Sequence, residues 1–126
     1  MLKPIATDQA PAAIGPYSQA VDVGDLIFIS GQIPLDPATQ SFVSENVKEQ
    51  AELVMKNIGA ILEKAGLTYK HLAKANIYLD NIDDFAVVNE VYASFLSEPF
   101  PARAAVEVGK LPKGAKVEIE AIAVKE

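Results

Sequence analysis

Arg103 has the sequence position that folding alone explains least well. It stands between Ala102 and Ala104, in a run of small and apolar residues where a strand is predicted to begin. Arginine is rarely buried without a partner, and its planar guanidinium binds a carboxylate through two parallel hydrogen bonds. The carboxylate could belong to a glutamate of the protein or to a ligand. Arg103 therefore indicates either a structural ion pair or a carboxylate-binding site.

Two carboxylates, Glu118 and Glu120, lie two residues apart near the C-terminus. In a strand they point to the same face, together with Ile122 and Val124. Because burial raises the pKa of a glutamate from about 4.3 toward the working pH, the pair indicates an acid–base site. The alternative is that both acids reach a solvated end of the strand. A glycosidase-like pair is disfavoured, since same-face neighbours lie roughly 7 Å apart and no other feature suggests sugar binding.

The other residue types that support catalysis or metal binding form no recognisable motif. The chain has no cysteine, which excludes thiol catalysis, cysteine-ligated metal and disulfides. The single histidine, His71, has no second ligand at metal spacing, so we expect a surface residue and no metal site. No serine lies in a Gly-x-Ser-x-Gly elbow, and the lysines within 109–116 lack phosphate-loop spacing.

Composition and charge narrow the class of protein. The chain has 126 residues, 50% hydrophobic and 22% charged, as expected for a single domain over 1–126. Its 11 basic and 17 acidic residues give a net charge of −6, which disfavours nucleic acid as a partner. The apolar runs are far shorter than the roughly 20 residues of a membrane span, and the first residues lack the apolar core of a signal peptide. We expect a cytoplasmic protein with no membrane partner.

The spacing of apolar residues predicts the elements that position these groups. Between 47 and 65 they recur at intervals of three and four, as on one helix face; the short length and Gly59 disfavour a coiled coil. Ser44 or Asn46 can cap this helix, and Gly66 can end it. A tight hairpin turn is predicted at Gly24. The predicted elements are strands over 16–23 and 26–32, a helix over 47–65, a strand over 73–79, a helix through 96 that Asn81 or Asp83 can cap, and strands over 102–108 and 117–124.

The order β-β-α-β-α-β-β predicts an α+β fold in which two helices pack on one face of a mixed sheet. The last strand carries apolar residues on both sides, which suggests burial on both faces. We therefore infer an oligomer whose subunits cover each other's sheets. The alternative is a loop of the same chain that folds over that face.

Several motifs follow one another along the chain. They are APAAIGPYSQ at 10–19, SGQIP at 30–34, DFAVVNEVY at 84–92, PARAAVEV at 101–108, LPK at 111–113 and VEIEAIA at 117–123. Together they closely resemble the signature of the RidA family of reactive-intermediate (enamine/imine) deaminases. The resemblance covers essentially the whole chain.

The resemblance implies a homotrimer of α+β subunits with the chorismate-mutase-like fold, three clefts between neighbouring subunits, and no cofactor. It also implies hydrolysis of small imino and enamino acids, such as 2-aminoacrylate, 2-iminopropanoate and 2-iminobutanoate, to 2-keto acids and ammonia. This activity would protect pyridoxal-phosphate enzymes from damage. By analogy, Arg103 would bind the substrate carboxylate, and Glu118 would position water or move protons. The residues implied to line the cleft or to add backbone contacts are Tyr17, Ser30, Gly31, Asn89 and Ala105.

Two other classes of function stay open. A non-catalytic trimer could bind 2-keto acids in the same cleft and regulate another protein. A ribonuclease or translation inhibitor, as some relatives have been described, is opposed by the net charge of −6. Many relatives carry cysteine where this chain has Ala105, so a thiol role at that position is excluded.

Overall fold

A computed structural model describes residues 2–126 as one mixed sheet and two helices. The α+β prediction and the order of the seven predicted elements are confirmed, and the chain adds a short strand before them. The elements are β1 (Lys3–Ile5), β2 (Ala20–Asp22), β3 (Leu26–Gln32), α1 (Val47–Lys64), β4 (Leu72–Leu79), α2 (Phe85–Ser94), β5 (Ala102–Glu107) and β6 (Val117–Val124).

The six strands lie in the order β1-β2-β3-β6-β4-β5. The pair β4 and β5, connected through α2, is parallel, and all other neighbours are antiparallel. The C-terminal strand β6 is therefore central, while β1 and β5 form the two edges. Strand β1 contains Pro4, which cannot donate a ladder hydrogen bond and is tolerated at an edge. Three residues around a proline are too short a pattern to predict a strand.

The helix and turn predictions hold with small changes of boundary. Asn46, rather than Ser44, caps α1 by accepting a hydrogen bond from the Glu49 backbone N–H. Gly24 and Gly66 have positive φ values of 117° and 80°, as the turn and the helix end require. Strand β2 is shorter than predicted because residues 15–19 turn, with the Tyr17 N–H donating to the Gly15 carbonyl. Helix α2 ends two residues before the predicted position.

One face of the sheet packs against both helices and forms the core. Along β6 the residues Val117, Ile119, Ala121 and Ala123 are buried and alternate with half-buried ones. We call the opposite side the open face. There Phe28 and Val106 remain 41% and 46% exposed, so the loops of residues 2–126 leave this part of the face uncovered. None of the helices in that range is long and apolar enough to cross a membrane.

Helix α1 carries two buried amide side chains that hold the loops at one end of the sheet. Gln50 is fully buried; its amide nitrogen donates to the Ser44 carbonyl, and its oxygen accepts from the Lys116 N–H. Asn57 donates to the Leu35 carbonyl at 3.1 Å. These bonds fix the loop after β3 and the start of β6 against the helix.

Candidate active site

Glu118 projects from the open face of β6 onto the backbone of β3. The register between these strands shifts between Ile29 and Gln32, and Gly31 lies within this irregularity. A Cβ atom built on Gly31 would stand 2.0 Å from Oε2 of Glu118, so a larger residue would displace the carboxyl group. Glycine within a strand is typical of a site where another group approaches the main chain closely.

The Glu118 carboxyl group lies at a cavity of about 420 Å³. Most of the wall is apolar, Tyr17 adds a half-exposed phenol, and Lys113 adds a cation. Lys113 has the left-handed φ of 58°, which is uncommon for a residue with a side chain. The apolar side chains of the wall are Pro11, Ala12, Ile14, Ile33, Leu35 and Pro112.

The environment of Glu118 suits proton transfer. Burial raises the pKa of its carboxyl group, and the negative charge of Glu120 raises it further. Glu120 itself accepts a hydrogen bond from the Tyr78 hydroxyl at 2.9 Å. Glu118 is therefore half-buried beside an apolar cavity and does not lie at a freely solvated end of the strand.

Arg103 lies on the other side of the sheet. In the register of β5 it pairs with Ala75, which is buried on the helix face. Its guanidinium carbon stands 5.1 Å from the ring centre of Phe85 and 5.6 Å from that of Tyr92, and Nη1 donates to Oδ1 of Asn89. Both rings belong to α2 and hold the cation by its attraction to their π faces.

The ion pair considered for Arg103 is not formed within residues 2–126, where the one salt bridge joins Lys125 and Asp22. Arg103 is exposed, and the partner expected for it is the neutral side-chain amide of Asn89. Asn89 and the two rings orient the guanidinium without neutralising it. Its charge thus stays available to an anion.

The predicted site residues fall into two groups within one chain. Tyr17, Gly31 and Glu118 line the cavity on one side, and Ser30 lies next to them with its hydroxyl donating to the Ser18 carbonyl at 2.6 Å. Arg103, Asn89 and Ala105 form the other group, in which Ala105 pairs with the buried Ile77. Glu118 and Arg103 lie on opposite faces of the sheet. Their strands, β6 and β5, are separated by β4, and neighbouring strands are about 4.8 Å apart. A single chain therefore does not bring them together.

Sequence reasoning missed residues that support the cavity wall. Gln19 is 4% exposed; its oxygen accepts from the Thr7 N–H, and its nitrogen donates to the Pro11 carbonyl, both at 2.7 Å. These bonds hold the N-terminal loop beside Tyr17. The available signal was a glutamine flanked by strand residues, which alone does not reveal its partners.

His71 has a local structural role, because its Nδ1 accepts the Thr68 N–H at 3.0 Å.

In the part of the chain that the structure describes, no group of three or more histidine, cysteine, aspartate or glutamate residues is arranged to hold a metal ion. The acid–base group and the cation identified above are protein side chains. The arrangement can bind a small carboxylate and exchange protons with it, provided that both groups of residues reach the same ligand.

The chain is similar to known proteins in both sequence and structure. The Endoribonuclease L-PSP family matches residues 7–125. The chain is 50% identical over 128 residues to the 2-iminobutanoate/2-iminopropanoate deaminase of Salmonella typhimurium, covering 99% of each sequence. It is 55% identical over 122 residues to the RutC family protein y4sK of Sinorhizobium fredii, covering 97% of each. The crystal structure of RidA from Psychrobacter has a TM-score of 0.93 and 53% identity, covering 97% of this chain and 98% of that one.

Proposed function

Because the chain belongs to the Endoribonuclease L-PSP (YjgF/RidA) family, we propose that it is an enzyme that hydrolyses 2-imino acids to 2-keto acids and ammonia without a cofactor. The observation that carries this proposal is the Glu118 carboxyl group, half-buried against Gly31 at an apolar cavity. The name of the Salmonella relative, an iminobutanoate and iminopropanoate deaminase, supports the same substrate class.

The reaction needs little more than orientation and proton transfer. An enamine such as 2-aminoacrylate gains a proton at C3 and loses one from nitrogen to become the imine. Water then adds across C2=N, so that C2 gains a hydroxyl group and the nitrogen becomes an amine. The amine gains a proton and the hydroxyl loses one as the C2–N bond breaks, which releases ammonia and the keto acid. A guanidinium that binds the substrate carboxylate fixes C2, and a carboxyl group with a raised pKa can give and take the protons. We assign these roles to Arg103 and Glu118.

We further propose that the complete site forms between two copies of the chain. Arg103 and Glu118 lie on opposite faces of the sheet, so neither can reach a ligand held by the other in one chain. The exposed Phe28 and Val106 of the open face and the exposed edge strand β5 provide apolar surface for such an assembly. In a closed ring of three subunits, each subunit can place its Arg103 beside Glu118 of one neighbour and its Glu118 beside Arg103 of the other, so that every site is complete.

A mixing experiment tests the shared site. Arg103→Ala and Glu118→Gln are each expected to abolish imine hydrolysis. After the two inactive variants are unfolded and refolded together, a random ring regains activity at about one quarter of its sites, because only those combine an intact arginine with an intact glutamate. Recovery far below this value, in oligomers shown by native mass spectrometry to be mixed, would contradict the shared site.

The activity assay detects the imine directly. An amino-acid oxidase generates the 2-imino acid, semicarbazide traps it, and an active protein lowers the amount of trapped product. Lys110→Gln is a matched control for loss of a cation, since Lys110 is exposed and outside the cavity wall. Binding of 2-keto acids by the wild-type protein without turnover would contradict the catalytic proposal and would favour a regulatory binding protein.

A further inference from the structure

Tyr78 and Glu120 have no role in the proposed reaction, yet both lie next to Glu118 on the open face of the sheet. Tyr78 of β4 pairs directly with Glu118 of β6 in the sheet register. Its hydroxyl nevertheless donates to Oε1 of Glu120 at 2.9 Å. A phenol has a single hydrogen to donate, so this bond is made to the second carboxylate and not to the one directly opposite.

The hydrogen bond from Tyr78 restricts the position of the Glu120 carboxylate. Glu118 and Glu120 lie on the same face because they are two residues apart in a strand. A half-buried glutamate at such a position can swing its carboxylate into solvent, and a hydrogen bond from a ring anchored on the adjacent strand opposes that motion. The negative charge thus stays beside Glu118.

The charged and titratable groups around Glu118 act in both directions. Glu120 on the same strand disfavours a negative charge on Glu118, and burial of the carboxyl group does the same. Lys113 lines the same cavity, and an Arg103 from a neighbouring copy would join it in the proposed oligomer; a positive charge close to Glu118 acts in the opposite direction to Glu120. The phenol of Tyr78 lies on the neighbouring strand β4, and that of Tyr17 lies in the cavity wall.

We propose that Tyr78 and Glu120 are positioning residues for the reaction: Tyr78 holds the Glu120 carboxylate on the face of Glu118, and the negative charge held there favours a proton on Glu118. The use of this proton rests on the proposed function. Its retention on Glu118 is a property of the folded protein and can be measured without turnover.

The direct test is a carbon-13 NMR titration of the Glu118 carboxyl group, assigned by loss of its signal in Glu118→Gln. Glu120→Gln is expected to move the midpoint to lower pH. Tyr78→Phe is expected to move it in the same direction but less far, and the double variant to match Glu120→Gln alone. Glu63→Gln, which removes the same charge from an exposed position on α1, should leave the midpoint in place.

Two results would overturn the proposal. One is an unchanged midpoint in Glu120→Gln; the other is a double variant in which the two single shifts add, because independent effects cannot act through one hydrogen-bonded pair. If the wild-type protein hydrolyses imines, the limb of the pH–rate profile that depends on Glu118 should move with the NMR midpoint. Absence of turnover would contradict the proposed function alone, since the titration still decides whether the pair acts on Glu118.

Discussion

Replacing Gly31 by alanine should move the Glu118 carboxyl group without unfolding the protein. The added Cβ would lie 2.0 Å from Oε2, 2.9 Å from Cδ and 3.2 Å from Cγ of Glu118. Because ordinary van der Waals contact begins near 3.4 Å, the oxygen must retreat by 3.4 − 2.0 = 1.4 Å. A misplacement of about 1 Å can cost 10²-fold in rate, so kcat/KM should fall by about two orders of magnitude, roughly 2.7 kcal/mol.

Gly109→Ala is the matched control, because a Cβ at Gly109 would meet no atom within 4 Å. Both variants and the wild type are compared in the imine-trapping assay, with urea unfolding to follow stability. The colliding atoms belong to the far end of a flexible side chain, so Gly31→Ala should fold normally. Wild-type kcat/KM in Gly31→Ala would refute the assigned role of the Glu118 position. So would an equal loss in Gly109→Ala.

Three further perturbations have defined outcomes. The pKa of Glu118 in the native state lies above its unfolded value of 4.5, so the native state binds the proton more tightly. The stability of the protein therefore falls as pH rises from the unfolded pKa through the native pKa. Glu118→Gln should melt at a higher temperature than the wild type at neutral pH and lose that advantage below pH 4.5. Gly59→Ala would place Cβ 2.2 Å from the Tyr69 hydroxyl, which is bonded to the Met55 carbonyl, so urea unfolding should show a loss of about 1–3 kcal/mol, although alanine normally stabilises a helix interior. Asn89→Ala frees one side of the Arg103 guanidinium and should raise KM for the imine more than it lowers kcat; a pure kcat effect would argue against an orienting role.

Much of the fold could be predicted because its signals are local. The helix α1 follows from the spacing of its apolar residues, and the hairpin turn follows from Gly24, whose φ of 117° suits few other residues. Strand β1 was missed because three residues around Pro4 acquire their strand conformation from pairing with β2. Such pairing depends on the rest of the sheet and leaves no pattern in the segment itself.

The candidate site could be predicted only in part. The two-residue spacing of Glu118 and Glu120 predicts that they share one face of the strand. The position of Arg103 on the helix face, in contrast, is known only from the register of β5 with β4. Phe85 and Asn89, which support Arg103, lie on α2, the helix that connects the parallel strands β4 and β5. This contact depends on how the helix packs against the sheet. The hydrogen bond from Tyr78 to Glu120 joins residues 42 positions apart, which no local pattern encodes.

Three of the four buried amides, Gln19, Gln50 and Asn57, bear on how this architecture can diversify. Each donates or accepts hydrogen bonds with the main chain of a loop, so the loops are attached through atoms that every residue possesses. Exposed side chains of those loops, such as Ile14 of the cavity wall, can then change while the course of the loop is retained. A sheet and helix of constant sequence can thus carry cavity walls of different size and polarity, and substrate range can diverge between descendants of one ancestor at little cost in stability.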